Sequence, residues 1–181
     1  MVIRADILNG VVIIKDLNNS RKIYFLGYFG KPINAEKVKV ETDITSPLIL
    51  NSFEALYLME KGVIDLFYND KRVNDINEAK KILKINSKKE RQYEIYKELR
   101  DNGLKVRSGL KYGSDFVAYR LGPGIEHAPF IIHYYDINEN FDPIELVRAG
   151  RLSHSVKKDF IISSLKDNGK SLYIIFKWFK P

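Results

Sequence analysis

Tyr119, His127 and Lys158 are the side chains whose types suit proton transfer at a phosphate without a metal. In such chemistry a 2′-hydroxyl loses a proton and attacks the adjacent phosphate. The leaving 5′-oxygen gains a proton, and a fixed cation or donor steadies the phosphorane between them. His127 follows Gly122-Pro123-Gly124-Ile125-Glu126, a turn-rich loop that can hold an imidazole at the mouth of a cleft. Imidazole titrates near ~6.5, so it can donate a proton at neutral pH. Tyr119 lies in Asp115-Phe116-Val117-Ala118-Tyr119-Arg120. Its phenol, with an ordinary pKa of ~10, is a reluctant base that needs a neighbouring cation. Lys158 stands where Val156-Lys157-Lys158-Asp159 turns apolar at Phe160. Each residue also has an ordinary reading: a core tyrosine, a surface-loop histidine, a solvated lysine pair. His133, inside Ile131-Ile132-His133-Tyr134-Tyr135, and His154, before Ser155, read as packing or capping residues.

Other chemistries lack their motifs. There is no G-x-x-x-x-G-K-[ST] loop and no H-E-x-x-H. Neither Asp115 nor Glu126 is followed by an E-x-K triplet of the kind that holds a catalytic magnesium, so no metal site is expected. The chain has no cysteine, which excludes disulfides and Cys-based zinc. A net charge of +7 over 181 residues favours a polyanionic partner or simply a solvated lysine-rich surface. No apolar run approaches the ~20 residues of a membrane span. The N-terminus lacks the apolar stretch of a secretory signal, so a soluble cytoplasmic protein is expected.

The elements that must position these residues are legible in part. Strands are expected at 5–8 and 11–15 around Asn9-Gly10, a hairpin signal, and again at 22–26 and 36–40. Asn51 with Glu54 reads as a capping box opening a helix that Gly62 ends. A strand at 64–68 and a helix at 74–85 with a basic face follow. Ser87 and Glu90 open another helix, with Tyr93, Ile95, Tyr96 and Leu99 at helical spacing and Asn102-Gly103 at its end. Strands are expected at 104–107, 116–121 and 130–136, then a short helix from Asp142-Pro143 to Gly150. Two further strands, 155–165 and 171–179, join at Asp167-Asn168-Gly169-Lys170. Val156, Lys158, Phe160 and Ile162 would share one strand face. The pattern is α/β (α+β): two small mixed α/β domains, 1–86 and 87–181, with a central mixed sheet in the second.

Several blocks together resemble a known family. Tyr96-Lys97-Glu98-Leu99-Arg100-Asp101-Asn102-Gly103, Ser108-Gly109-Leu110-Lys111-Tyr112-Gly113-Ser114-Asp115-Phe116, Tyr119-Arg120 and Glu126-His127 come in the order found in the C-terminal domain of archaeal tRNA-splicing endonucleases, the tRNA-intron lyases. Ser153-His154-Ser155-Val156-Lys157-Lys158 is similar to that family's lysine motif. The resemblance covers 90–181; Glu54-Ala55-Leu56-Tyr57-Leu58 resembles the family's N-terminal domain more weakly.

The resemblance implies a nuclease domain that cuts precursor tRNA at the intron boundaries of a bulge-helix-bulge. The products would carry a 2′,3′-cyclic phosphate and a 5′-hydroxyl, with no cofactor involved. It assigns Tyr119 as general base, His127 as general acid and Lys158 as the phosphorane's cation. With all three present the chain resembles a catalytic subunit; a non-catalytic RNA-binding or structural subunit is the alternative. The family grips a bulge base between two flat groups, which fall on Arg151 and near Trp178, the only tryptophan. An indole face can stack on a base for ~1–3 kcal/mol, although a core or interface tryptophan is an equally good reading. Family assembly uses C-terminal strands and an acidic loop that docks into a partner. The corresponding Asp167-Asn168-Gly169-Lys170 carries one acid, flanked by Lys166. That composition points to a heterotetramer with a second structural subunit, in preference to self-association.

Overall fold

Asn9 and Gly10 both take positive φ, 50° and 79°, the paired left-handed geometry that suits a two-residue hairpin. They join β1 (Ile3–Leu8) to β2 (Val11–Ile14), with Leu8 opposite Val11. The computed structural model describes residues 2–34, 38–140, 142–144, 147, 150–151 and 158–176. It forms two units, Met1–Ser87 and Lys88–Pro181.

In the first unit the hairpin lies within a mixed sheet. The other strands are β3 (Lys31–Pro32), β4 (Leu48–Leu50), β5 (Ile64–Tyr68) and β6 (Lys71–Arg72). Their order is β3-β4-β2-β1-β5-β6, with β1 and β5 parallel. Three helices accompany them: α1 (Leu17–Gly27), α2 (Ser52–Glu60) and α3 (Ile76–Ile82). The α2 capping box forms as expected. Asn51 accepts from the Glu54 amide and the Glu54 carboxylate accepts from the Asn51 amide, each at 2.9 Å. The other Glu54 oxygen accepts from Gly30 at 2.9 Å, so this buried carboxylate ties the loop before β3 to the start of α2.

Two expected strands are not formed among the described residues. Residues 22–26 lie inside α1. Asp16 caps that helix by accepting from Asn19, and Ser20, Ile23, Tyr24 and Gly27 are buried at helical spacing. A short apolar run reads equally as strand or helix, and the cap decides it. Of 36–40, Glu36 and Lys37 lie outside the described residues. The amides of Lys39 and Val40 donate to the Asp43 carboxylate, at 2.7 and 3.1 Å, so this backbone is spent on a local turn rather than a sheet ladder. The helix expected at 74–85 is shorter, because Asp75 caps it and Lys84, at φ 54°, turns the chain away.

The second unit takes up α4 (Ser87–Asp101) from its second residue and continues through β7 (Lys105–Ser108), β8 (Phe116–Tyr119), β9 (Phe130–Tyr134), β10 (Asp159–Leu165) and β11 (Ser171–Phe176). The sheet runs β11-β10-β9-β8-β7, with β9 and β10 parallel and the other pairs antiparallel. Tyr93, Ile95, Tyr96 and Leu99 of α4 are buried, and Tyr96 meets Phe116 at 5.9 Å between ring centres. Alternation along β8 then puts Val117 on the opposite face. That face has its own core of Val117, Ala128, Ile131, Phe160 and Ile162. Burying each of its larger apolar side chains contributes about 1.5–3 kcal/mol.

The β8 strand stops at Tyr119, short of the expected Leu121, because the Leu121 amide leaves the ladder to donate to Glu126. Near 142–151 the Asp142 carboxylate accepts from Ile144 at 2.8 Å, capping a turn with Pro143 in first position. Gly150 and Arg151 are both helical, so Gly150 does not end that helix. It lacks the positive φ that a C-terminal stop requires. Residues 155–157 and 177–179 of the last two expected strands lie outside the described residues. Among the described residues no helix is long and apolar enough to cross a membrane.

Candidate active site

Strand direction gathers the three chemical residues at one end of the second sheet. Because β8 is antiparallel to β9 and β9 parallel to β10, the C-terminus of β8 lies beside the N-termini of β9 and β10. Tyr119 is the last residue of β8, Lys158 immediately precedes β10, and His127 lies three residues before β9. Alternation puts Tyr119 on the face of Val117 and Lys158 on the face of Phe160, which is one and the same core face. Tyr119 packs against that core, half-buried.

Lys158 is the best defined of the three. Its Nζ donates to the Ala128 carbonyl at 2.5 Å, one residue from His127. The Tyr112 ring centre stands 5.5 Å from the same nitrogen, within cation–π range. Burial pushes the lysine pKa below its ordinary value. An ammonium has three N–H donors, so among the described residues two remain beyond the one on Ala128.

His127 is exposed, yet its backbone is held on both sides. Upstream, a Glu126 carboxylate oxygen accepts from the Leu121 amide at 2.6 Å. Downstream, Ala128 is buried, and the Asp159 amide donates to the Pro129 carbonyl at 2.9 Å. The segment from Glu126 to Pro129 is therefore tied to Leu121, two residues past β8, and to the start of β10.

Tyr112 comes from a tightly wound loop. The Gly109 amide donates to the Asp115 carbonyl, and Ser114 Oγ donates to the Gly109 carbonyl, both at 3.1 Å. A Cβ on Gly109 would fall 2.1 Å from Ser114 Oγ and 2.8 Å from the Ser114 carbonyl oxygen, so only glycine fits.

The remaining residues singled out by sequence divide. Arg151 is helical and exposed. Trp178 and His154 lie outside the described residues. His133 sits beside Phe160, 5.3 Å between ring centres, with Nδ1 3.8 Å from Asp115. Asp115 accepts from Gln92 and from the Tyr134 amide, both at 2.8 Å, which ties α4 to β9. Among the described residues no group of three or more His, Asp or Glu side chains is placed to hold a metal ion. Sequence reading missed the Ala128 carbonyl and the Tyr112 ring. The first has no sequence signal; the second had one in the glycines that flank its loop.

Comparison with known proteins accounts for both units. Residues 3–79 match the tRNA intron endonuclease N-terminal domain, and 89–174 match the tRNA intron endonuclease catalytic C-terminal domain. A tRNA-splicing endonuclease of Hyperthermus butylicus is 40% identical over 182 residues, covering 99% of this chain and 100% of its own. The protein of that name from Sulfolobus acidocaldarius is 39% identical over 180 residues, covering 99% of each chain. That from Saccharolobus solfataricus is 41% identical over 185 residues, covering 99% of this chain and 100% of its own. With both domains matched in order and full-length relatives at this identity, the chain belongs to the tRNA intron endonuclease family.

Proposed function

We propose that this chain is the catalytic subunit of a tRNA-splicing endonuclease that cuts precursor tRNA at bulge-helix-bulge intron boundaries. It needs no metal ion and leaves a 2′,3′-cyclic phosphate and a 5′-hydroxyl. The observation that carries this reading is the Lys158 ammonium on the Ala128 carbonyl, beside His127 and at the sheet end where Tyr119 stands. Tyr119 takes the proton of the 2′-hydroxyl as that oxygen attacks phosphorus. His127 gives a proton to the departing 5′-oxygen. Lys158 turns its two remaining donors to the phosphorane oxygens, from a half-buried setting where charge attracts more strongly than in water.

Arg151 and Trp178 are proposed to hold the bulge base between them. The assembly is a heterotetramer in which a second, structural subunit supplies the acidic loop. In this chain the one acid of the 167–170 turn, Asp167, is engaged internally, 3.3 Å from Arg91. The β11 strand forms a sheet edge and exposes Ile174 and Ile175, which suits contact with another chain.

Single-turnover cleavage of an end-labelled bulge-helix-bulge RNA tests the roles. Lys158→Ala, His127→Ala and Tyr119→Phe should each lower kcat by about 10²-fold or more with little change in RNA affinity. Wild-type cleavage by Lys158→Ala would leave the chain a structural or RNA-binding subunit.

A further inference from the structure

An exposed histidine can act as a proton donor only if something other than packing fixes where its imidazole hangs. His127 is exposed, so its placement comes from its backbone. The downstream side is secured by buried Ala128, whose carbonyl takes the Lys158 ammonium, and by Asp159 on the Pro129 carbonyl. The upstream side is a loop with two glycines, Gly122 at φ 145° and Gly124 at φ 88°, whose backbone is otherwise permissive. One side chain closes that loop. Glu126 reaches back five residues, and its carboxylate accepts from the Leu121 amide at 2.6 Å. The Glu126 amide donates in turn to the Gly122 carbonyl at 3.2 Å, and Pro123 bridges to Glu126. The closed loop thus ends on Glu126, the residue immediately before His127.

Resting on the assignment of His127 as general acid, we propose that Glu126 is a positioning residue for His127: its carboxylate closes the loop onto Leu121, two residues past the end of β8, and so aims the imidazole at the leaving 5′-oxygen. Glu126 does not touch the reacting atoms. Its effect passes through His127, and it must vanish wherever no proton is needed at the 5′-oxygen.

The test uses the assembled endonuclease and two bulge-helix-bulge RNAs, one ordinary and one with sulfur in place of the scissile 5′-oxygen. A thiolate leaves without a proton, so that substrate bypasses a general acid. On ordinary RNA, Glu126→Ala should lower kcat by about 10–100-fold at unchanged KM, since a misplacement of about 1 Å can cost 10²-fold. Glu126→Gln keeps an acceptor oxygen and should stay within about threefold of wild type. On the sulfur substrate, both His127→Ala and Glu126→Ala should return to within about threefold of wild type. In a His127→Ala background, Glu126→Ala should bring no further loss on ordinary RNA. If His127→Ala is rescued by sulfur and Glu126→Ala is not, Glu126 serves the fold rather than the acid and the proposal fails. If Glu126→Ala cuts ordinary RNA at the wild-type rate, it fails as well. If sulfur does not rescue His127→Ala, the acid assignment is wrong and the proposal falls with it.

Discussion

The role proposed for Lys158 requires a charge, yet the residue sits where charge is disfavoured. Burial lowers its pKa, so it loses its proton at a lower pH than an ordinary lysine. The proposed activity is present while Lys158 is an ammonium and is lost as pH rises through that lowered value. The alkaline limb of kcat should therefore begin below the ordinary lysine pKa of about 10.4. A single-turnover rate–pH profile measures it; Lys158→Arg, whose guanidinium does not titrate in this range, should lose that limb. A limb that persists in Lys158→Arg assigns it to another group. At this scale the sequence offers candidate residue types and, through family resemblance, the roles proposed for them. It could not say that Lys158 meets a carbonyl beside His127, since a backbone oxygen and the direction it faces leave no mark on residue identity. Tyr112 lay in plain view between Gly109 and Gly113, but its position near Lys158 depends on how the loop winds.

Helix caps, hairpin turns and close-packed glycines determine whether the elements hold those residues in place. The Asn9-Gly10 hairpin, the Asn51 and Glu54 capping box and the 64–68 strand were readable because each rests on chemistry within a few residues. The 22–26 segment was misread because its apolar run is too short to show a period, while Asp16, the cap that settles the matter, lies outside it. Register between β8, β9 and β10, which gathers the site, is a long-range property that local patterns do not encode. Two tests belong here. Glu54→Ala strands two backbone amides, those of Gly30 and Asn51, and should lower unfolding free energy by about 2–4 kcal/mol in a urea titration. Gly109→Ala meets the Ser114 carbonyl oxygen at 2.8 Å. It should disturb the loop that carries Tyr112, reducing cleavage by about tenfold or more while the circular dichroism spectrum stays near wild type.

The molecule as a whole carries +7, and among the described residues β11 is a sheet edge and Asp167 of the 167–170 turn is paired internally with Arg91, the features on which the proposed heterotetramer rests. Light scattering on the purified chain should give less than a tetramer, with the tetramer formed once a second subunit is added; a tetramer of this chain alone would remove the case for a heterotetramer. Ile175→Lys should weaken any self-contact through β11 without unfolding the sheet, since Ile175 is 51% exposed. The central claim is metal-free attack by a 2′-hydroxyl. It is tested by incubating the assembled enzyme, in EDTA, with a bulge-helix-bulge RNA and with the same RNA carrying a single 2′-deoxy at the cleavage site. The account predicts that the first is cut to a 2′,3′-cyclic phosphate and the second is left whole. Loss of cutting in EDTA that added magnesium restores, or cutting of the deoxy substrate, would contradict it.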